Sequence, residues 1–282
     1  MRRLGDRKDA TLIRNLDGMH FIMPLIYPNR TDNEAYITMD IDLDGIDEFI
    51  KNHNSDREAD DAYSTFGILI AAMLRTIKER PKLNRFIANS SYYQRNEISA
   101  SFVIKKELSD DSEETLARIT PGDDFSLESI QGEVNEQIRN CKNANDQTTD
   151  AMNFVSKLPF KRLIGVIIRF FDKRGMLPQS LIATDPTQCS VMLTNLGSIG
   201  LGIGYHHLAN WGTNSIFVVV GKKVNNRYYD KDGNLRNKRV IKVSFTIDER
   251  IADGFYYSKS LRLFKKYAEN PELLMEKAKA AD

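Results

Sequence analysis

The stretch FTIDERIADGFYYSKSL, residues 245–261, joins two different hydrophobic patterns at one short turn. Apolar and polar residues alternate up to Asp248, which is the pattern of a half-buried strand. After Gly254 the apolar residues return every three or four positions, as on one face of a helix, and Asp253 stands where a helix N-cap belongs. The stretch therefore predicts a strand that leads directly into a helix, with Glu249 at the junction.

The same two patterns continue outward along the chain. No repeat period and no low-complexity linker divides the chain, so a single domain with additional peripheral elements is expected. A glycine-punctuated loop joins the two apolar strand candidates of the carboxy-terminal half, and a hairpin with its turn at Asp232–Gly233 follows. The predicted strands are 34–43, 97–107, 190–193 and 216–220; the predicted helices are 44–54, 61–81, 124–142 with Asp124 or Ser126 as its cap, 158–178, one after Gly254, and a short one from Pro271.

Charge and cysteine content limit the classes of function. Among 282 residues, 40 Lys and Arg nearly balance 39 Asp and Glu, so the net charge of +1 gives no reason to expect a nucleic-acid partner. Cys141 and Cys189 fit neither a disulfide framework nor a metal spacing, and no metal is expected. The basic N-terminus lacks the apolar core of a signal peptide, so a cytoplasmic location is expected.

Residues 158–178, LPFKRLIGVIIRFFDKRGMLP, form an amphipathic stretch that charges interrupt too often for a bilayer span. The favoured interpretation is a helix docked on its own domain or on a partner subunit, ended by Gly175 and Pro178. The alternative is weak contact with a membrane surface. Its apolar face would consist of Phe160, Leu163, Ile167, Phe170 and Phe171.

The glycines of residues 197–204 are too weak a signal for a dinucleotide site, because no helix-forming segment follows them. Tight turns and close backbone approach are the better interpretation.

Two short motifs together resemble one family. TNLGSIG (194–200), followed by an apolar strand that ends at Gly221, and then FTIDERIADGFYYSKSL look like the catalytic domain of the dihydrolipoamide acyltransferases of 2-oxo acid dehydrogenase complexes. That domain belongs with chloramphenicol acetyltransferase in a wider superfamily. RPKLNRFI (80–87) is similar to the turn that follows a long helix in this family, and the likeness covers roughly residues 34–275.

The resemblance implies a two-layer α/β fold, with a mixed sheet and helices on one face, assembled as a homotrimer with its active site between subunits. Residues 1–33 would be an N-terminal arm and 34–282 the acyltransferase-like domain, with 143–188 as a helical insertion that is atypical of the family. No lipoyl domain or Pro/Ala-rich linker precedes residue 34, so membership of a dehydrogenase complex is not expected. The acyl donor would be free acyl-coenzyme A or a separate carrier.

The resemblance also assigns roles to individual residues. In the family, a histidine takes the proton from the thiol of coenzyme A or dihydrolipoamide, and a hydroxyl from across the interface donates to the tetrahedral oxyanion. Thr194 falls on that hydroxyl, Asp253 on the aspartate that orients the site through a salt bridge, and Glu249 on the histidine. Asn195 and Gly197 would line the substrate site beside Thr194.

Glutamate in the histidine position puts the usual chemistry in doubt. The pKa of a thiol, near 8.5, is about two units above that of imidazole but about four units above that of an ordinary glutamate. Burial raises the pKa of a carboxyl group and so narrows this difference. His206 and His207, in GIGYHHLANWG, can supply the imidazole instead, with Glu249 as its carboxylate partner, although simple packing of the two histidines is the more common situation. No role is assigned to His20 or His53. The second functional hypothesis is a catalytically silent trimeric binding or scaffold protein.

Overall fold

A six-stranded mixed sheet forms the centre of the molecule, a computed structural model that describes residues 3–105, 114–143 and 161–279. Its strand order is β2-β9-β8-β7-β5-β6, and a second sheet has the order β1-β4-β3. The strands are β1 Ala10–Leu12, β2 Glu34–Asp42, β3 Arg85–Ala88, β4 Ser91–Arg95, β5 Ala100–Lys105, β6 Glu114–Ile119, β7 Val191–Asn195, β8 Ile216–Tyr229 and β9 Leu235–Asp248. The helices are α1 Gly18–Ile26, α2 Asp44–His53, α3 Thr65–Glu79, α4 Leu127–Asn143, α5 Lys161–Lys173, α6 Gln179–Thr184 and α7 Gly254–Glu269.

The large sheet is mixed because β7 runs parallel to both of its neighbours, β5 and β8, whereas the remaining pairs are antiparallel. Parallel neighbours need long crossover connections. The connection from β5 to β7 carries α4, α5 and α6, whereas the one from β7 to β8 is a loop with the short 3-10 turn Leu196–Ile199. Thr194 of β7 is opposite Val219 of β8, which in turn is opposite Ser244 of β9. This register fixes where the two sequence motifs lie relative to each other.

Helices cover one face of this sheet and build the main core. Alternate strand residues such as Leu193, Val218 and Phe245 point into this core and meet α3 and α7. The opposite face carries a smaller cluster around Met192 and Phe217, which the loop after β7 covers with Leu208. The predicted two-layer α/β architecture is therefore confirmed.

Most of the predicted elements occur close to their expected limits. The apolar run at 61–81 forms the buried helix α3, and the residues after Gly254 form α7. The hairpin of β8 and β9 turns at Gly233, whose φ of 80° suits glycine. The β3–β4 hairpin, β1, β6, α1 and α6 were not predicted. Within the predicted insertion, residues 144–160 lie outside the described part of the chain, and the rest contains α5 and α6.

The apolar face of α5 does not pack against its own domain, so the first of the two docking sites expected from the sequence is wrong. Its large apolar side chains are exposed in the single chain: Leu163, Val166, Ile167, Phe170 and Phe171. Phe160 lies outside the described residues. No helix in the described ranges has the length and apolar character required to cross a bilayer.

Candidate active site

A buried ion pair shapes the turn between β9 and α7. Arg250 donates from Nε to Asp248 Oδ1 at 2.8 Å and from Nη2 to Oδ2 at 2.7 Å. The Tyr257 hydroxyl donates to the Asp248 carbonyl oxygen at 2.8 Å, which ties the first turn of α7 to the end of β9. These contacts hold the short turn Glu249–Ile251 in one orientation, with Glu249 facing outward.

Asp253 is the N-cap of α7, as the sequence predicts. Its Oδ1 accepts a hydrogen bond of 2.8 Å from the Tyr256 backbone N–H, and this bond lowers the pKa of the carboxyl group. Its side chain is exposed and makes no ion pair with another described residue. The salt bridge expected of the motif aspartate is therefore not present in the single chain, where the buried salt bridge of this segment belongs to Asp248 and Arg250.

Glu249 is exposed within one chain. Its carboxylate makes no hydrogen bond or ion pair inside the described ranges. Any desolvation of this group must therefore come from a neighbouring copy or from a bound substrate.

Thr194 is buried near the end of β7, on the sheet face opposite the helices. It is two strands from Ser244 in β9, and Glu249 follows Ser244 by five residues. With about 4.8 Å between strands and about 3.3 Å per residue along a strand, Thr194 and Glu249 are roughly 20 Å apart. One chain does not bring these two predicted site residues together.

Asn195 and Gly197 shape the turn after β7. Asn195 Oδ1 accepts from the Ser198 backbone N–H at 3.2 Å and so caps the turn Leu196–Ile199. A Cβ on Gly197 would lie 2.5 Å from the Gly221 carbonyl oxygen, so the two backbones approach as closely as glycine allows. Both residues have a structural function here, and their predicted contact with substrate stays a prediction.

The two loop histidines contact other partners than Glu249. The His206 ring stacks on Phe217 with 4.8 Å between centroids. His207 Nδ1 lies 3.1 Å from Glu34 Oε2, and Glu34, whose side chain is buried, is opposite Asp248 in the pairing of β2 with β9. The expected pair of a loop imidazole with Glu249 is therefore not formed within one chain.

His20, to which the sequence analysis assigned no role, belongs to the surroundings of the same turn. Its ring packs edge-on against Tyr92 with 5.9 Å between centroids, and the Tyr92 hydroxyl donates to the Arg250 carbonyl oxygen at 3.1 Å. The sequence signal available was Asp17 three residues before His20, which is the spacing of a helix N-cap. In the described ranges, no group of three or more His, Cys, Asp or Glu side chains has the arrangement of a metal site.

Residues 177–276, which contain both motifs, match the family model of the 2-oxoacid dehydrogenases acyltransferase (catalytic domain). No curated protein matches the chain in sequence.

Solved structures match over nearly the whole chain. The cubic core of the pyruvate dehydrogenase multienzyme complex has a TM-score of 0.62 at 13% identity, over 94% of each chain. The dihydrolipoamide acetyltransferase of Azotobacter vinelandii, studied for the role of a serine, a histidine and an asparagine in its mechanism, has a TM-score of 0.60 at 14% identity, again over 94% of each chain. Chloramphenicol acetyltransferase has a TM-score of 0.53 at 15% identity, over 94% of this chain and 99% of its own.

This chain has the acyltransferase fold. The resemblance seen in TNLGSIG and DERIADGF is thus confirmed by the family model and by the structural matches. In this acyltransferase fold the two motifs lie at separate places on the central sheet.

Proposed function

We propose that the protein is a coenzyme A dependent acyltransferase that works as a homotrimer. It transfers an acyl group between the thiol of coenzyme A, or of a separate carrier, and an acceptor. Thr194 donates to the oxyanion, Asp253 orients the turn by capping α7, and Glu249 occupies the place of the base. The family match of residues 177–276 supports the reaction class.

The separation of Thr194 from Glu249 carries the proposal. Both motifs occur in an acyltransferase fold, yet roughly 20 Å of sheet lies between them in one chain. A site that uses both residues needs two copies, with Thr194 from one and Glu249 from the next. A closed ring of copies repeats that contact at every interface, and the family resemblance is what supports three copies in the ring.

Thr194 suits the role of an oxyanion donor. Its hydroxyl is held on a central strand, is buried, and makes no hydrogen bond to the described part of the chain. A donor that is fixed before the reaction stabilises developing negative charge without reorganisation, and loss of one such donor typically costs about 10²- to 10³-fold in rate.

Transfer of an acetyl group from acetyl-coenzyme A to dihydrolipoamide by the purified protein tests this function. We expect turnover, binding of coenzyme A by calorimetry, and a trimer by light scattering. Thr194→Val keeps the volume of the side chain and removes the donor, so it should lower kcat by about 10²-fold or more while coenzyme A still binds. If the trimeric wild-type protein shows no binding of coenzyme A and no turnover, the proposed function is wrong.

A catalytically silent scaffold is the second candidate, favoured by the exposed Glu249 in the position of a histidine. A silent relative keeps the trimer and has no route for substrate to the interface. The same measurements separate the two, because a scaffold forms trimers that bind no coenzyme A.

The exposed apolar face of α5 supports a contact surface besides the active site. A partner subunit or a weakly bound membrane surface would cover Phe170 and Phe171. Sedimentation with anionic liposomes distinguishes these two. Membrane contact predicts that Phe170→Ser with Phe171→Ser abolishes binding to liposomes and leaves the trimer intact, whereas subunit contact predicts loss of the trimer.

A further inference from the structure

An imidazole and a carboxylate are paired at the start of α1. Asp17 Oδ1 accepts from the His20 backbone N–H at 3.0 Å, and Asp17 Oδ2 lies 2.7 Å from His20 Nδ1. The hydrogen bonds from His20, the backbone one foremost, lower the pKa of Asp17, so its carboxylate stays charged beside the ring. A charged carboxylate on Nδ1 keeps the proton on that nitrogen and leaves Nε2 as the acceptor.

The position of this pair is fixed by contacts to the turn that carries Glu249. Tyr92 bridges the His20 ring to the Arg250 carbonyl oxygen, and burial raises the pKa of Tyr92 to about 12, so its hydroxyl remains a donor. Arg250 also reaches back and donates from Nη1 to the Tyr27 carbonyl oxygen at 2.7 Å, at the end of α1. Both ends of α1 are thus tied to the residue that follows Glu249.

His20 Nε2 has no hydrogen-bond partner within the described ranges, although only 27% of the side chain is exposed. We propose that His20, held by Asp17, is the general base of the acyl transfer and does the work of the histidine that Glu249 replaces. This inference rests on the proposed function and names a residue that neither motif contains.

The proton and electron pairs balance in the usual order of acyl transfer. The thiol proton moves to His20 Nε2, and the sulfur forms a bond to the acyl carbon while the carbonyl electron pair moves onto oxygen. Thr194 of the neighbouring copy donates to that oxyanion. The original carbon–sulfur bond then breaks, and the proton passes from Nε2 to the leaving thiolate.

The exposed outer surface of α1 is where we expect a second copy to lie beside His20. His20 and the buried Pro24 face inward, whereas five apolar side chains of the same helix are exposed: Met19, Phe21, Ile22, Leu25 and Ile26. A second copy that covers them closes the space beside His20, in line with a site completed by two subunits.

His207 is the competing imidazole because it too has a carboxylate partner, Glu34. However, 84% of the His207 side chain is exposed, so its ring is far more hydrated than that of His20. Because the His207 ring is less desolvated, the protein has less control over its orientation and over its basicity. His207 therefore provides the matched control.

The experiment compares His20→Gln with His207→Gln, using acetyl-coenzyme A and dihydrolipoamide and the trimeric protein. Glutamine can still donate to the partner carboxylate but cannot accept a proton. We expect His20→Gln to lower kcat by about 10²- to 10⁴-fold with an unchanged melting curve, and His207→Gln to leave kcat within about twofold of wild type. Added imidazole should restore part of the activity of His20→Ala, which a purely structural role would not allow.

Glu249→His separates this proposal from the proposed function. It restores the family residue, so the double variant with His20→Gln should recover the activity that His20→Gln loses. Equal activity of wild type and His20→Gln would overturn the role of His20 and leave the acyltransferase function standing. An inactive wild type beside an active Glu249→His would overturn both proposals and favour the catalytically silent scaffold, and inactivity of both proteins would also overturn both.

Discussion

Asp248 and Arg250 form a bidentate ion pair whose two side chains are almost completely buried, directly on either side of the exposed Glu249. Arg30 lies close by, with Nε 3.8 Å from Asp248 Oδ2, and its guanidinium donates to the Ala209 carbonyl oxygen at 2.6 Å. The pair therefore connects the turn, the N-terminal arm and the glycine-rich loop. Its first function is to fix the turn that presents Glu249.

Asp248→Asn should destabilise the protein strongly, because it leaves buried arginine charge without its partner. Breaking a buried pair in this way typically costs about 3 to 5 kcal/mol. Urea denaturation measures the change. Asp253→Asn is the matched control in the same segment, since asparagine also caps helices and Asp253 makes no ion pair with any residue that the structure describes. Equal midpoints for the two variants would show that the buried pair contributes little.

The stability that the charge of Asp253 contributes should depend on pH. Its pKa is lowered from 3.8 by the hydrogen bond from the Tyr256 backbone N–H. A group whose pKa is lower in the folded state adds stability above its unfolded pKa, and this is lost as the pH falls through the folded pKa.

Asp253→Ser keeps a capping oxygen without the charge, which makes it the comparison for this effect. We expect the difference in urea midpoint between wild type and Asp253→Ser to be constant from about pH 7 to about pH 5 and to shrink below about pH 4. A difference that persists unchanged at pH 2 would contradict any contribution from the charge.

Gly197→Ala should destabilise the protein through backbone contact. The added Cβ would lie 2.5 Å from the Gly221 carbonyl oxygen and 3.0 Å from Lys222 Cα. Both are main-chain atoms, so the strand or the turn must move, and overpacking of this kind typically costs about 1 to 3 kcal/mol. Gly202→Ala is the control, because a Cβ there meets nothing within 4 Å. Equal urea midpoints for the two variants would show that the close contact at Gly197 contributes nothing, because the lower entropy of the unfolded chain acts in the stabilising direction in both.

The fold was predictable where the sequence pattern is local. The apolar content of α3 and the alternation in β9 identify these elements without any tertiary information. The β3–β4 hairpin escaped because Asn89 and Ser90 adopt positive φ angles of 47° and 58° without the glycine that usually marks such a turn. The helix α1 was missed because Pro24 lies inside it, and proline normally ends or kinks a helix.

The site was less predictable than the fold because its contacts join distant parts of the chain. His207 meets Glu34 across 173 residues, and Tyr92 reaches Arg250 across 158. No periodicity carries that information, so DERIADGF identifies a motif that contains Glu249 but gives no sign of which imidazoles the fold brings to the same end of the sheet. Only the register of the sheet reveals that Thr194 lies at a distance from Glu249.

Subunit mixing should restore activity to two inactive variants if Thr194 and Glu249 act from different copies. In a trimer of Thr194→Val alone or of Glu249→Gln alone, every site carries one substitution. In a random equal mixture, the site formed by Thr194 of a Glu249→Gln copy and Glu249 of a Thr194→Val copy is intact. About a quarter of the sites meet this condition, so about a quarter of wild-type activity should return after the two variants are refolded together.

A mixture of Thr194→Val with the double variant Thr194→Val, Glu249→Gln is the control, because no copy then supplies Thr194. Failure of the first mixture to exceed this control would place both residues in the same copy or outside the site.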